Sequence, residues 1–495
     1  MEAGGACVRA VILAAGEGSR FRRTVGFGPK PLYPLYGVTL LERAVRCARQ
    51  AGCDEVVVVL GAEGEVIRRR LLSRLQSPEA GAAPGPGVRW VEAAQWRRGN
   101  GASLLAARPL LGDEPFLLMM ADHVMDPGLC RRAAEAARDP RRAALLSGGG
   151  ALLLVDPRLD QVHDLDEATR VRHQDGRVIA IGKGLEPYTG VDTGVFVGSP
   201  GLLDALEEVR DRAGDDGPVT LTEGAALLAA AGRLGAVPVD QGWWLDVDDA
   251  DDLPAARQRL LASACASGGD GPVARHLNRP VSRRLTALLA STPVTPDMIT
   301  WAAALLAAAG AACFALGLPA AGGILAQLAS IVDGSDGELA RLRLEARPSG
   351  ALLDTLLDRY ADALLIAGLT LGALGAPGTP GASGAPGALG ALGGPGGAWL
   401  PLLAGFLALA GAPLSALVKD RLQWLAGSGR RYNPLRDDPA WLRWLPVNRD
   451  GRCLVILLCG LAGAPVAALL ILALASHVGA WARVVHGLQR LQARS

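Results

Sequence analysis

Four aspartates pose the first chemical question. Residues 333–358 read DGSDGELARLRLEARPSGALLDTLLD inside an Ala/Leu-rich half of the chain. Asp333/Asp336 and Asp354/Asp358 are spaced by three and four, so each pair shares one face of a helix. Pro348 and Gly350 interrupt the pattern. A hairpin turning near Glu345 would bring Asp333 level with Asp358 and Asp336 level with Asp354, a cage of four carboxylates. Carboxylates in a lipid-like segment are costly and are kept where they face a bundle interior or bind something positive. Hard divalent cations prefer oxygen ligands, so a pair of them is the natural guest.

A second group lies near the start. The apolar run Val8–Ala14 suits a buried strand of a parallel sheet. It leads into LAAGEGSRF (Leu13–Phe21), PKPL (Pro29–Leu32) and an amphipathic run from Thr39 to Ala51. Gly16 and Gly18 let backbone N–H groups approach a triphosphate, and Arg20 and Lys30 add charge-assisted contacts. The continuous order AAGxGxR then PKPL resembles the nucleotidyltransferases that make sugar nucleotides. That resemblance implies a nucleoside triphosphate on the glycine loop, with Arg20 and Lys30 assisting pyrophosphate departure.

The same resemblance gives roles to later residues. Gly99, Asn100, Gly101 and Ser103 in RRGNGASLLAA match its base-recognition loop; the lesser alternative from the residues is an ordinary Gly-Asn turn opening a helix with Ser103 near its N-cap. Asp122 follows the apolar strand Phe116–Met120, at the carboxyl end where open α/β sheets place ligands. Asp122 and Asp246, the latter in GWWLDVDDADDL, match the family's Mg²⁺ ligands; Mg²⁺ keeps several waters, so two carboxylates suffice beside substrate phosphates. Asp248 fits either a further ligand or the N-cap of a helix starting near Asp251. Lys183 in IGKGL and Asp192 in VDTGVF match acceptor-side positions. Runs at Glu55–Leu60 and Val88–Val91 read as further strands in a βαβ alternation, with a surface loop between 77 and 87.

The elements that hold these residues follow from composition. The chain has 495 residues, 50% of them hydrophobic, and a mean hydropathy of +0.25, too apolar for a wholly soluble protein. A net charge of +1 gives no support for nucleic acid as a partner. Eight cysteines without a CxxC pair indicate reduced thiols. MEAGGACVRAVILAAG lacks a basic n-region and a long apolar h-region, so no cleavable signal is expected. The expected architecture is an α/β nucleotidyltransferase domain, a Rossmann-like mixed sheet, over 1–261. A small-residue linker (Ala262–Ala274) and a basic run (Arg275–Arg284) that suits an anionic membrane surface follow. An all-α membrane domain fills 285–495. Six transmembrane spans are drawn at 298–317, 320–341, 350–371, 398–418, 451–464 and 466–486, the fifth short. Arginine concentrates before 298, at 341–347, at 419–452 and after 482, whereas the loops after Gly317, after Leu371 and around 463–465 have no Lys or Arg. The positive-inside rule then puts both termini and both sites on the cytoplasmic side of a multi-pass protein of the inner or plasma membrane. Residues 372–396, Gly/Ala/Pro-rich, form an extracytoplasmic loop.

The opening stretch now reads as a whole. Asp333-x2-Asp336-Gly337-x2-Ala340-Arg341-x8-Gly350-x3-Asp354-x3-Asp358 resembles the CDP-alcohol phosphotransferases at every fixed position. The resemblance implies a CDP-linked donor, two divalent metals (Mg²⁺, or Mn²⁺) on the four aspartates, and Asp358 as general base. Gly337 and Gly350 would give cytidine room, and Arg341, one turn after Gly337, would meet a phosphate. Thr295-Pro296-Asp297 is similar to the family's turn before its first span. Arg449 and Arg452, opening span five, match positions that bind acceptor phosphate, and equally fit inside-facing anchors.

Together the halves share an intermediate. Such a fusion resembles the bifunctional inositol-1-phosphate cytidylyltransferase/di-myo-inositol-1,3′-phosphate-1′-phosphate synthases. The resemblance implies CTP, inositol 1-phosphate and CDP-inositol as small-molecule partners, a lipid bilayer, and a precursor of a compatible solute as product. The oligomeric state is left open, a homodimer being compatible. A cytidylyltransferase for another polyol phosphate fused to a phospholipid-type synthase is the alternative enzyme. A scaffold or transporter with a degenerate nucleotide domain is the non-enzymatic one, and the intact acidic motifs of both halves count against it.

Overall fold

A computed structural model describes residues 9–75, 87–266, 271–375, 399–425 and 437–492. The chain divides into two compact units, Met1–Ser263 with Arg343–Glu345, and Ala264–Leu342 with Ala346–Ser495.

The first unit is built on β1 (Arg9–Ala14), β2 (Val56–Leu60), β3 (Val88–Glu92), β4 (Phe116–Met120), β5 (His123–Met125), β6 (Ala151–Asp156), β7 (Arg170–Gln174), β8 (Arg177–Gly182), β9 (Gly190–Gly198), β10 (Leu234–Pro238) and β11 (Trp244–Asp246). Nine of these form one mixed sheet in the order β3-β2-β1-β4-β9-β6-β10-β8-β7. The strands β3, β2, β1 and β4 run parallel, and β9 is antiparallel to both β4 and β6. Continuous apolar runs such as VVVVL in β2 suit a sheet covered on both faces. Side chains alternate accordingly: Ile12, Val58 and Met119 enter one core, Val11, Val57 and Leu118 the other.

Helices cover the sheet where the local sequence starts them. Helix α1 (Ser19–Val25) follows the glycine loop. A capping box, Thr39 with Glu42, opens α2 (Leu40–Gln50). Short α3 (Asn100–Ala106) follows Gly99, and Asp126 caps α4 (Pro127–Arg138) through Gly128 N. The seven described cysteines are free. Beyond the sheet, β5 and β11 pair antiparallel with Asp246 opposite His123, which brings residues 123 in sequence apart into one site.

Helix α5 (Asp252–Cys265) runs just past the boundary at residue 263, and in the second unit a π-helical turn (Ala274–Asn278) leads into α6 (Arg279–Leu289). The small residues expected as linker are therefore helical up to Cys265: Ala, Ser and Cys are compatible with a helix once its neighbours propagate one. Residues 267–270 lie outside the described set, as do most of the 77–87 loop, residues 376–396 of the Gly/Ala/Pro stretch, and Cys7. Six further helices are α7 (Pro296–Ala315), α8 (Pro319–Leu342), α9 (Pro348–Ala373), α10 (Trp399–Leu425), α11 (Arg449–Leu461) and α12 (Pro465–Gln492). Three of them, α7, α10 and α12, are long and apolar enough to cross a membrane by length and composition. Helices α8 and α9 carry the carboxylates, and α11 has only 13 residues. Helix α7 packs along both α8 and α9, α10 lies on α12, and α11 lies on α8.

Candidate active sites

In the first unit, strand ends and the glycine loop converge on one acidic cluster. Lys30, 7% exposed, donates from Nζ to Asp122 Oδ2 at 2.9 Å and Asp248 Oδ1 at 2.8 Å, and lies 3.9 Å from Asp246. His123 Nδ1 is 3.2 Å from Asp122 Oδ1 and 3.7 Å from Asp246 Oδ1. Ligand atoms of Asp122, His123 and Asp246 lie within 4.8 Å of one another. Gly194 makes room for the imidazole: a Cβ there would stand 2.5 Å from His123 Nε2. The ring stacks on Trp244 at 6.2 Å and 11°, and Trp244 Nε1 donates to buried Asp156.

The electrostatics follow. Burial opposes ionisation of Asp122, yet Lys30 and His123 outweigh it and hold its carboxyl well below the ordinary range. Burial opposes the charge on Lys30 and His123 too, but the surrounding aspartates hold Lys30 above its usual range and raise His123 to about 9. Burial lifts Asp246 to about 6, against the pull of His123. Asp246 Oδ1 is buried and has no hydrogen-bond partner among the described residues. An orphaned carboxylate oxygen beside a second carboxylate and an imidazole is a donor set that fits a small divalent cation.

The other expected residues fall around this cluster. Gly16, Gly18 and Arg20 line a cavity of about 340 Å³ with Lys30, Asp122 and Asp248. An adjoining pocket of about 270 Å³ is lined by Arg20, Asn100, His123, Lys183, Asp192, Trp244 and Asp246, among others. Arg20 points to Glu167 at 2.9 Å and lies 3.7 Å from Asp248. Asp192 accepts from Gly194 N at 2.8 Å, and burial raises it to about 6. In the 99–103 loop only Asn100 lines the pocket, while its Oδ1 accepts from Leu221 N. Ser103 is buried and donates to Gly99 O, and Gly101 faces Leu206 and Val219. Asp252, not Asp248, accepts the N–H groups of residues 248 and 249 at the start of α5, which leaves Asp248 with Lys30. Sequence alone gives His123 no role, although it stands directly after Asp122; only the β5–β11 register shows that it faces Asp246.

In the second unit, α8 and α9 bring Asp333, Asp336 and Asp354 within 4.8 Å at their ligand oxygens. Asp358 joins them through Arg449, whose Nη1 is 2.6 Å from Asp333 Oδ2 and pairs with Asp358 Oδ1. Thr300 Oγ1 of α7 donates to Asp336 Oδ2 at 2.6 Å. The expected four-carboxylate cage is thus three carboxylates in mutual reach and a fourth across an arginine. Hard oxygens clustered around the Arg449 guanidinium form a donor set that suits divalent cations. Arg341 lies over Gly337 and donates to Ala264 O at 2.7 Å. Gly350 lies near Asp297 of the Thr-Pro-Asp turn, which pairs with Arg347. Arg452 turns from the carboxylate cluster to a buried pair with Asp362 at 2.6 Å and donates to Val447 O.

Comparison with known proteins finds two family models along the chain. The MobA-like NTP transferase domain model matches residues 10–312, and the CDP-alcohol phosphatidyltransferase model matches residues 293–383. A bifunctional IPC transferase and DIPP synthase of Rubrobacter xylanophilus is 40% identical over 94% of this chain and 92% of its own. Its counterpart in Aquifex aeolicus is 33% identical over 73% of this chain and 77% of its own. The inositol-1-phosphate CTP transferase structure from T. maritima is 23% identical, covering 52% of this chain and 96% of its own, at a TM-score of 0.43. Fold, acidic clusters and matched models define an enzyme with an N-terminal nucleotidyltransferase domain and a C-terminal helical CDP-alcohol phosphotransferase domain. The chain belongs to the family of bifunctional IPC transferases and DIPP synthases.

Proposed function

We propose that the chain makes and consumes CDP-inositol. In the first reaction a phosphate oxygen of inositol 1-phosphate attacks the α-phosphorus of CTP in line; the α–β P–O bond breaks and pyrophosphate leaves. Lys30 and Arg20 balance charge on the leaving group, Gly16 and Gly18 hold the triphosphate, and Asn100 of the 99–103 loop meets the base, the other members of that loop shaping its backbone. Lys183 and Asp192 orient the acceptor. In the second reaction a hydroxyl of another inositol 1-phosphate attacks the β-phosphorus of CDP-inositol; its bond to the bridging oxygen breaks and CMP leaves. Asp358 takes the hydroxyl proton, Arg341 meets the donor phosphates, Gly337 and Gly350 leave space for cytidine, and Arg449 faces the acceptor phosphate, whereas Arg452, expected from sequence beside it, ties α11 to α9 through Asp362. Mg²⁺ would be held by Asp122 and Asp246 in one site, and Mg²⁺ or Mn²⁺ by Asp333, Asp336, Asp354 and Asp358 in the other; there it supplies Lewis-acid polarisation of phosphoryl oxygens.

The observation that carries this reading is the presence, in one chain, of two separate carboxylate clusters, one beside a glycine loop and one on paired apolar helices. The wider reading places domains at 1–261 and 285–495, with 262–284 between them, and all six helices α7–α12 as spans. The arginine-rich segments, both termini and both sites then face the cytoplasm. Short α11 needs neighbours to bury its ends; a homodimer is compatible with this topology. One assay tests the chemistry. Purified protein in detergent receives CTP, Mg²⁺ and radiolabelled inositol 1-phosphate. A water-soluble phosphodiester bearing two inositols is the expected product; a labelled lipid or another polyol product would favour the alternative enzyme, and absence of any CDP-alcohol would overturn both.

A further inference from the structure

Glu338 stands one residue beyond Gly337, on the side of α8 away from Asp333 and Asp336, because steps of five and two residues at about 3.6 per turn carry it past the opposite edge. Its side chain is 0% exposed. Both oxygens are occupied. Oε1 accepts from Arg279 Nη1 at 2.6 Å and Ser282 Oγ at 2.8 Å, and Oε2 accepts from Thr286 Oγ1 at 2.7 Å. All three donors come from one face of α6. The tie to α8 continues at earlier turns: Asn278, in the turn just before α6, donates from Nδ2 to Ser330 Oγ at 3.1 Å, and Arg279 Nη1 also reaches Gly334 O at 3.3 Å. The polar face of α6 is therefore turned inward, while Leu277, Val281 and Leu288 are exposed. The basic run read from sequence as a membrane-surface segment thus spends Arg279 on a buried carboxylate.

We propose that Glu338 is a positioning residue of the phosphotransfer site: by clamping α8 to α6 it fixes the rotation of α8 that aims Asp333 and Asp336. This rests on the reading of those aspartates as cation ligands. A carboxylate oxygen stands about 6 Å from a helix axis. Turning α8 by about 10° then moves that oxygen by about 1 Å, against a tolerance of about 0.2 Å in a metal–ligand distance. A buried, charge-assisted tie with three donors resists that rotation better than apolar packing, which is non-directional.

The test uses the full-length chain in detergent, with Asp122→Asn and Asp246→Asn added for the binding measurement so that the phosphotransfer site dominates Mn²⁺ uptake. Mn²⁺ affinity is read by electron paramagnetic resonance. CMP release from CDP-inositol and inositol 1-phosphate is read in the otherwise unaltered chain. Glu338→Ala should weaken Mn²⁺ about tenfold or more and lower CMP release in proportion, with pyrophosphate release from CTP unchanged. Glu338→Gln, which keeps an acceptor for Thr286 or Ser282, should recover much of that affinity, and Thr286→Val should fall between. Ser415→Ala, which removes a buried contact to Arg483 between α10 and α12, serves as a control that lowers thermal stability without touching α8. Wild-type Mn²⁺ affinity in Glu338→Ala at a stability loss matching the control would overturn the proposal. Should Glu338→Ala not assemble, wild-type affinity in Thr286→Val would overturn it equally. Failure of Asp333→Asn to weaken Mn²⁺ would instead sink the reading of the aspartates on which the proposal rests.

Discussion

Lys30 draws three carboxylates together, with Asp122 and Asp248 in hydrogen-bond contact and Asp246 at 3.9 Å, and His123 and Arg20 add positive charge at the cluster's edges. Replacing it by Met leaves those charges to repel. The pairs are neither fully exposed nor fully buried, so the expected loss of stability is about 2 kcal/mol, between the limits for surface and buried ion pairs. Divalent cation should restore more of the lost stability in Lys30→Met than in wild type, because it replaces the missing charge; pyrophosphate release should fall at least about a hundredfold, the scale of a lost electrostatic stabiliser. Thermal melts with and without Mg²⁺ check the first, and an unchanged pyrophosphate rate would remove Lys30 from the mechanism. His123 gives a pH signature. Its folded pKa, raised to about 9 from the ordinary 6.5, means that its protonation stabilises the fold fully below about pH 6.5, and that this contribution is lost as pH rises through about 9. A cation on Asp122 and Asp246 must displace that imidazolium charge. Cation affinity at this site should therefore rise about tenfold per pH unit between about pH 7 and pH 8.5, and level off above 9. Calorimetric titration of Mn²⁺ into a chain carrying Asp333→Asn measures this slope; His123→Gln should flatten it, and a flat wild-type profile would contradict it.

At the scale of elements, periodicity carried far because the strands are buried on both faces and the helices are apolar for most of their length. The run Phe116–Met120 is a strand with those ends, and the expected 320–341 and 350–371 spans fall within α8 and α9. What stayed hidden depends on tertiary partners. The pairing of β5 with β11 joins two three-residue strands too short to show a period, and it sets His123 against Asp246. The inward polar face of α6 is invisible without Glu338, and Arg449 could be placed only as an acceptor or anchor residue until α11 lay against α8. Close packing of α7 on α9 is a further such fact. A Cβ on Gly368 would run into the backbone of Ala311, and one on Gly372 into Phe314 O, so the two helices meet through small residues, as helices do where no hydrophobic drive separates lipid from protein. Gly368→Val should cost about 1–3 kcal/mol by overpacking and, because α9 carries Asp354 and Asp358, should lower CMP release while leaving pyrophosphate release intact. An unchanged melting temperature in detergent would show that the helices are not held at that distance.

For the whole molecule, two reactions on one chain raise the question of how the intermediate travels. The first site's acidic cluster lies within the unit Met1–Ser263, and the second site's within the unit beginning at Ala264. Each has its own carboxylates and its own basic side chain among them, Lys30 in one and Arg449 in the other, so disabling one should leave the other's activity intact. Asp358→Asn removes the base for the acceptor hydroxyl, and should abolish CMP release while pyrophosphate release continues and CDP-inositol accumulates. Asp122→Asn should do the reverse, giving product only when CDP-inositol is supplied. CDP-inositol is anionic and water-soluble, with no apolar surface that would hold it on the protein between turnovers. A mixture of the two variants should therefore restore product formation after a lag set by the build-up of free CDP-inositol. In wild type, added unlabelled CDP-inositol should dilute radiolabel from CTP-dependent product in proportion to its share of the pool. Loss of both activities in either single variant would contradict two independent sites. Undiluted label, together with no complementation in the mixture, would mean instead that the intermediate passes between sites without entering solution.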